Sequence, residues 1–224
     1  MRELVMADDK FTELKGEHVT LRRLKLADVK PFVAYRCDPD VARYQSWEAP
    51  YPLADGERLI RAMQRQHPDT PGQWFQFAVV LSSTGELVGD CGTKSDAADP
   101  RQAEIGYTIA RQQQGRGYGI DTVRTLLGYL FDRRDKHRVT ASCDPRNTGS
   151  MRLLERVGMR REGYLRESIW FKGEWADDLL FAMLAREWAL LPPLASGRAG
   201  PVLPGSVSSS CLGSRRIARR PGRR

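Results

Sequence analysis

Residues 104–124 place a strand pattern, a glycine-rich turn and the start of a helix in one short stretch. Ile105, Tyr107 and Ile109 alternate with other residues at the period of a half-buried strand. Glycines follow at every second position over residues 115–119, and apolar residues then recur at helical spacing. This order predicts a fold in which one strand passes through glycines directly into a helix.

The glycine turn can direct several backbone N–H groups at one point, and the following helix N-terminus adds partial positive charge there. The stretch therefore favours a phosphate or pyrophosphate ligand. It is not a Walker A loop, because no Gly-Lys-Ser/Thr sequence closes it, and its glycine spacing differs from the Rossmann fingerprint. Taken alone, the turn is equally consistent with a flexible connection ahead of an ordinary helix.

The length of 224 residues suits one domain with appendages, or at most two small domains. Hydrophobic residues make up 41% of the chain, which is enough for a packed core. No apolar run approaches the roughly 18 residues of a membrane helix, and the charged N-terminus lacks the apolar region of a signal peptide. We therefore expect a cytoplasmic protein with a flexible segment 1–15, one domain over 16–191 and a disordered tail 192–224.

The net charge of +8 is concentrated in that tail, which is rich in Pro, Gly, Ser and Arg. Seven arginines and no acidic residue follow residue 191, which leaves a charge of +1 on residues 1–191. The body of the protein therefore does not indicate a nucleic-acid surface. The tail is either a basic arm for nucleic acid or an acidic partner, or a disordered segment without a role; we favour the second interpretation.

The four cysteines and three histidines give no metal-ligand pattern, because they form no Cys-x-x-Cys pair and no cluster. We therefore expect no metal site. Cys143 follows His137 along one predicted strand rather than facing it, so packing is a better interpretation than a nucleophile.

Periodicity and turn residues divide the rest of the chain into alternating elements. Residues 179–184 are open to either strand or helix. The predicted strands cover residues 18–24, 74–81, 86–92, 137–143, 163–171 and 175–186, the predicted helices cover 25–35, 54–66 and 147–157, and residues 41–52 are irregular.

Three motifs in this order resemble the GNAT superfamily of N-acetyltransferases over residues 17–190. They are the loop 112–117 (QQQGRG), the helix 147–159 (NTGSMRLLERVGM) and the closing pair 162–163 (EG) with 175–177 (WAD). The likeness is to the branch that contains ribosomal-protein alanine acetyltransferases. It implies an α/β (α+β) fold with a mixed, mostly antiparallel sheet of about six to seven strands flanked by about four helices.

The resemblance implies an acyltransferase that moves an acetyl group from acetyl-CoA to a primary amine of a protein N-terminus or a small molecule, by direct attack on the thioester. The backbone of residues 114–119 would hold the diphosphate, and the strand before it would pair with the pantetheine arm. A strand N–H would polarise the thioester carbonyl. The residues implied for cofactor binding are Tyr107, Ile109, Gln114, Gly115, Arg116, Gly117, Tyr118, Gly119 and Asn147.

Two residues are candidates for proton transfer. Glu104 begins the strand beside the cofactor and would take the proton of the amine. Ser150 matches the serine that protonates the leaving thiolate in the ribosomal branch. Counted along the penultimate predicted strand, apolar Ile169 falls where the resemblance implies a second base in that branch, a departure that argues against the ribosomal mechanism and substrate. The alternatives are a solvated strand-end charge for Glu104 and a local backbone hydrogen bond for Ser150.

Tyr44, Trp47 and Tyr51 precede the second helix, in the region that lines the acceptor side in this family. They would shape an acceptor pocket, although core packing is the better interpretation of Trp47. A different class of function is an acyl-CoA-binding regulatory module without turnover, since fold does not fix function. We also consider a homodimer, and we expect no membrane partner.

Overall fold

The computed structural model describes residues 13–192, which form one eight-stranded mixed sheet in the order β1-β2-β3-β4-β5-β6-β8-β7. Neighbouring strands are antiparallel except β5 and β6, which are parallel. The strands are β1 (Glu13–Lys15), β2 (Val19–Arg23), β3 (Trp74–Leu81), β4 (Leu87–Ser95), β5 (Gln102–Ile109), β6 (Arg138–Cys143), β7 (Arg160–Phe171) and β8 (Glu174–Leu184).

Helices cover both faces of this sheet. The buried ring of Phe77 meets Tyr129, which continues α4, whereas Asp90 on the opposite side of the sheet accepts a hydrogen bond from Tyr35 of α1. The α-helices are α1 (Val29–Arg36), α2 (Pro39–Ala42), α3 (Leu53–Arg65), α4 (Tyr118–Gly128), α5 (Thr148–Arg156) and α6 (Ala185–Trp188). Short 3-10 turns at Leu26–Asp28 and Arg111–Gln113 and a π-helical turn at Tyr129–Arg133 complete the elements.

The mixed, mostly antiparallel sheet predicted from the sequence is confirmed, with differences at its edges. Residues 13–15 were expected to be flexible, but they pair with β2, which raises the number of strands to eight. Residues 39–42 form a short helix that extends into the predicted irregular segment. Residues 179–184 are strand, because they pair with β6. Residues 1–12 and 193–224, including almost all of the expected tail, lie outside the described residues.

The sheet opens between β5 and β6. These strands pair at three positions, from Gln102 opposite Arg138 to Glu104 opposite Thr140, and then diverge. The rest of β5 keeps its antiparallel partner β4 as far as Ile109, so one edge of β5 is left facing a gap inside the sheet. This gap positions the functional site.

The carboxylate of Asp121 fixes the helix that begins at this gap. It accepts hydrogen bonds from the backbone N–H groups of Glu17, His18 and Val19, at 3.0, 2.7 and 2.9 Å. Because Asp121 lies in the first turn of α4, these bonds tie the helix start to the turn between β1 and β2. The Asp121 carboxylate is therefore occupied by these three hydrogen bonds.

Candidate active site

Two cavities meet at the gap between β5 and β6. The glycine-turn cavity, of 560 Å³, is bounded by β5, the turn 114–119 and the start of α5. The aromatic cavity, of 670 Å³, lies towards α1 and α3 and takes in the loop 44–51 and the β7–β8 hairpin. Tyr44, Gln45, Tyr107 and Thr108 line both cavities, so the two spaces adjoin along β5.

The backbone of β5 turns hydrogen-bonding groups into this gap. The Tyr107 carbonyl accepts from the Gln45 side chain at 3.5 Å, and the Ile109 carbonyl accepts from the Gln114 side chain at 2.9 Å. In a strand the N–H of a residue points to the same side as its C=O. The N–H groups of Tyr107 and Ile109 therefore face the gap, where β6 has moved out of reach.

The glycine turn leaves the N-terminus of α4 open. Gly115 and Gly117 have φ values of 76° and 86°, a left-handed conformation that suits glycine, and Gly117 is the N-cap residue. A Cβ at either position would meet no atom of the described chain within 4 Å. No side chain among residues 13–192 caps this N-terminus, so its first N–H groups remain available for an anion.

A chain of hydrogen bonds connects α5 with β5. The Asn147 side chain accepts from the Ser150 N–H at 3.1 Å and caps α5. The Ser150 hydroxyl and the Tyr107 hydroxyl lie 2.8 Å apart, and the Tyr107 hydroxyl also approaches the Ser150 carbonyl at 3.3 Å. Burial raises the pKa of Tyr107 well above its ordinary value, so this hydroxyl stays protonated at neutral pH.

Glu104 lies in the aromatic cavity where the gap begins. Its carboxylate pairs with the ammonium group of Lys94 across β4 and β5 at 3.0 Å, and both side chains are about one-third exposed. Ser150 lines the glycine-turn cavity instead, so Glu104 and Ser150 belong to the two adjoining cavities.

The acetyltransferase (GNAT) domain family matches residues 18–160, which is more than half of the chain. The chain belongs to the GNAT family. Members of this family are acetyltransferases that use acetyl-CoA as cosubstrate, so this GNAT protein is an N-acetyltransferase. The family predicted from the motifs at 112–117, 147–159 and 162–177 is thereby confirmed.

Individual relatives agree with this assignment. The chain is 30% identical over 176 residues to the uncharacterized N-acetyltransferase p20 of Bacillus licheniformis, covering 79% of this chain and 98% of the relative. It is 31% identical over 118 residues to the [ribosomal protein uS5]-alanine N-acetyltransferase of Escherichia coli, covering 52% and 61%. A GNAT-family acetyltransferase structure from Bacillus anthracis superposes with a TM-score of 0.69 at 28% identity, covering 78% and 99%.

The structure brings most of the predicted site residues of this GNAT protein to one cavity. Arg116 is exposed and lies outside the lining, and Tyr118 packs edge-on against His18 with ring centroids 6.4 Å apart. Arg111 pairs with Asp40 at 2.5 Å instead of lining the cavity. Those that line the glycine-turn cavity are Tyr107, Ile109, Gln114, Gly115, Gly117, Gly119, Asn147 and Ser150.

Three arginines of the glycine-turn cavity were missed in the sequence. Arg146 precedes α5, and Arg152 and Arg156 lie on it four residues apart, so they share one face of the helix. Their spacing was visible in the sequence, but a charged helix face is usually solvated. The fold places them in the lining of the glycine-turn cavity, because α5 forms the wall opposite the turn 114–119.

Cys143 lies beside the Ser150 hydroxyl in the aromatic cavity. Burial raises the pKa of its thiol to about 11, although the neighbouring Ser150 hydroxyl lowers it. The thiol is therefore protonated at neutral pH, which disfavours a nucleophilic role. Among residues 13–192 no three His, Cys, Asp or Glu side chains gather as a metal site.

An aromatic cluster around Arg36 forms one wall of the aromatic cavity. The Arg36 guanidinium lies 3.8 Å from the ring centroid of Trp47, 4.1 Å from that of Phe32 and 5.2 Å from that of Tyr51. Its charge is paired with Asp90 at 3.0 Å. Trp47 thus packs against the core, the interpretation favoured from the sequence, and also lines the cavity together with Tyr44 and Tyr51.

The β7–β8 hairpin closes the far side of the aromatic cavity. Lys172 at its tip donates hydrogen bonds to the Trp47 carbonyl at 2.7 Å and the Ala42 carbonyl at 2.9 Å. Ile169 and Phe171 line the cavity from β7. Within the described chain, no helix combines the length and the hydrophobicity that crossing a membrane requires.

Proposed function

We propose that this protein transfers the acetyl group of acetyl-CoA to a primary amine, with the cosubstrate in the glycine-turn cavity and the amine in the aromatic cavity. One observation carries the proposal: the two cavities meet at the unpaired edge of β5, where the N–H groups of Tyr107 and Ile109 face the gap. A thioester bound along this edge would be accessible to an amine from the other side of the sheet.

The residues of the glycine-turn cavity fit a coenzyme A thioester. The N–H groups of the turn 114–119 and the open N-terminus of α4 suit a diphosphate. The β5 N–H groups can pair with the amides of a pantetheine arm and polarise the thioester carbonyl. Arg152 and Arg156 supply positive charge for further phosphate on the opposite wall.

The reaction requires two proton transfers. The amine nitrogen forms a bond to the thioester carbon, the bond from that carbon to sulfur breaks, and the sulfur leaves as a thiolate. Glu104 takes a proton from the amine, directly or through water. Ser150 gives its proton to the thiolate and regains one through the hydroxyl of Tyr107, to which it is hydrogen-bonded.

The acceptor is a primary amine of a protein N-terminus or a small molecule. One relative is named as a [ribosomal protein uS5]-alanine N-acetyltransferase, which makes an alanyl peptide one candidate. The apolar Ile169, counted at the place of a second base in that branch, argues against the ribosomal substrate, so small amines belong in the same comparison.

The test is the release of free thiol from acetyl-CoA across alanyl peptides, amino acids, aliphatic amines and aminosugars. We expect release with at least one amine and calorimetric binding of acetyl-CoA. Binding of acetyl-CoA without release for any acceptor would favour the regulatory module. The absence of any heat with acetyl-CoA or CoA on folded protein would reject the proposal.

A further inference from the structure

The aromatic cavity contains more negative charge than its own residues neutralise. One guanidinium, that of Arg36, and five carboxylates line it. Arg36 pairs with Asp90, Lys94 pairs with Glu104, and Arg146 pairs with Asp144 at 2.6 Å. The two remaining carboxylates are those of Asp177 and Asp178.

These two neighbours differ in their surroundings. Asp177 accepts hydrogen bonds from the Tyr164 hydroxyl and from the Glu167 N–H, which hold it in the bulge of β7. Asp178 is 6% exposed and has no ion-pair partner among residues 13–192. Its hydrogen-bonding neighbours are the Ser142 hydroxyl and the Leu179 N–H, both without charge.

A buried carboxylate without a cation is costly, because it has lost water and gained no opposite charge. Burial raises the pKa of Asp178, the Ser142 hydroxyl and the Leu179 N–H oppose that shift, and the charges of Glu104 and Asp144 add to it. A cation that entered the cavity would remove this cost. The cavity therefore has a place for a positive charge that residues 13–192 do not supply.

A second unsatisfied acceptor lies in the same cavity. The side-chain oxygen of Gln76 is buried and has no hydrogen-bond partner in the described chain. Buried polar atoms of this kind ordinarily find a partner. Trp47, Tyr51 and Trp74 line the same cavity, and oxygen acceptors together with aromatic side chains suit an ammonium group on an aliphatic chain.

We propose that the acceptor amine carries a second cationic group and that Asp178 binds it while Glu104 serves the reacting nitrogen. The inference rests on the proposed function and narrows its acceptor class. Asp178 lies on β8, next to Leu179, which pairs with Cys143 at the end of β6. Glu104 lies on β5, where the gap begins. The two carboxylates thus approach the cavity from different strands, which allows them to bind two nitrogens of one molecule.

The test compares three four-carbon amines that differ in the charge at the far end: 1,4-diaminobutane, butylamine and 4-aminobutyrate. We expect kcat/KM for the diamine to exceed that for butylamine at least tenfold, and 4-aminobutyrate to be the poorest. Equal efficiency for the diamine and butylamine would overturn the assignment and leave the proposed function intact. Absence of thiol release with every amine would overturn both.

Asp178→Asn keeps the shape of the side chain and removes its charge. We expect it to lower kcat/KM for the diamine at least tenfold while that for butylamine changes less than threefold. Asp55→Asn, at an exposed ion pair on α3, is the matched control. It should keep the wild-type ratio of kcat/KM for the diamine to kcat/KM for butylamine. A thermal unfolding midpoint of the Asp178→Asn protein at or above that of the wild type is also expected, and a preserved diamine preference in the folded variant would reject the assignment.

Discussion

The glycine-turn cavity and the aromatic cavity are built from different materials. The first is built largely of backbone: strand N–H groups, left-handed glycines and a helix N-terminus within residues 107–120. The second is built of side chains contributed by α1, the loop after it, and strands β3 to β8. A backbone site of this kind suits a ligand that all family members share, whereas a side-chain site can change with each acceptor.

This difference explains why the glycine-turn cavity can stay constant while the aromatic cavity varies with the acceptor. Backbone N–H groups recognise a phosphate whatever the neighbouring side chains are, so the same turn can be kept while the acceptor varies. The aromatic cavity has fixed ion pairs at Arg36 and Glu104, and the Asp178 carboxylate has no ion-pair partner in the described part of the chain. Charge at these positions, rather than the fold, would set the acceptor.

The largest expected effect is on the acceptor side. Glu104→Gln should lower kcat by about 100-fold, because a general base contributes on this order. Affinity for acetyl-CoA should remain within twofold, since Glu104 lines the other cavity. Steady-state kinetics with calorimetry measures both. Unchanged turnover would remove Glu104 from the mechanism, and Lys94→Met serves as a comparison that disturbs the ion pair but keeps the carboxylate.

The hydroxyl pair at the junction should give a smaller effect. Ser150→Ala is expected to lower kcat about tenfold and Tyr107→Phe about fivefold, the latter matching the loss of one hydrogen bond of about 1 kcal/mol. Because the two hydroxyls act as one unit, the double variant should be no slower than Ser150→Ala alone. Multiplying effects in the double-mutant cycle would show that Tyr107 acts independently of Ser150.

On the glycine-turn side, Gly117→Ala should raise KM for acetyl-CoA about fivefold, because a left-handed conformation costs a non-glycine residue about 1 kcal/mol or more. The kcat at saturation should stay within twofold of the wild type. Gly85→Ala, at another positive-φ turn outside the cavity lining, controls for strain alone. A fall in kcat at unchanged KM would contradict the binding role.

The smallest expected effect is on the pH dependence of the free energy of unfolding. Burial would raise the pKa of Asp69, but Lys136, Ser95 and Arg134 outweigh it and hold the pKa below its ordinary value. The stability from Asp69 is therefore present above about pH 4 and is lost as the pH falls through its lowered pKa. Asp178, with its raised pKa, has the opposite sign: its cost is absent at low pH and appears as the pH rises.

Urea unfolding of the wild type and of Asp178→Asn between pH 3 and pH 7 separates the contributions of Asp69 and Asp178 to the free energy of unfolding. Both proteins should lose stability at low pH through Asp69. The advantage of the variant should be largest at pH 7 and vanish below about pH 4. A difference that does not change with pH would mean that the Asp178 carboxylate is not the source.

The sequence predicted the elements whose signals are local. Strand β3 begins and ends at the predicted residues, and the turn at 115–119 opens α4 as expected. Strand β1 was missed because three residues with a single buried leucine carry no periodic signal, and pairing with β2 decides their conformation. Asp178 was missed because two adjacent acidic residues in a strand predict a solvent-exposed segment. Only the assembled sheet shows that Asp178 is buried.

The sequence by itself determined the family, the order of the elements and the position of the glycine turn, because periodicity, glycine positions and motif spacing are properties of contiguous residues. The tertiary structure decided where β5 and β6 separate, that the hydroxyls of Tyr107 and Ser150 meet, and which buried carboxylate has no cation partner within residues 13–192. These depend on strand register and on residues far apart in the chain, and no local pattern records them.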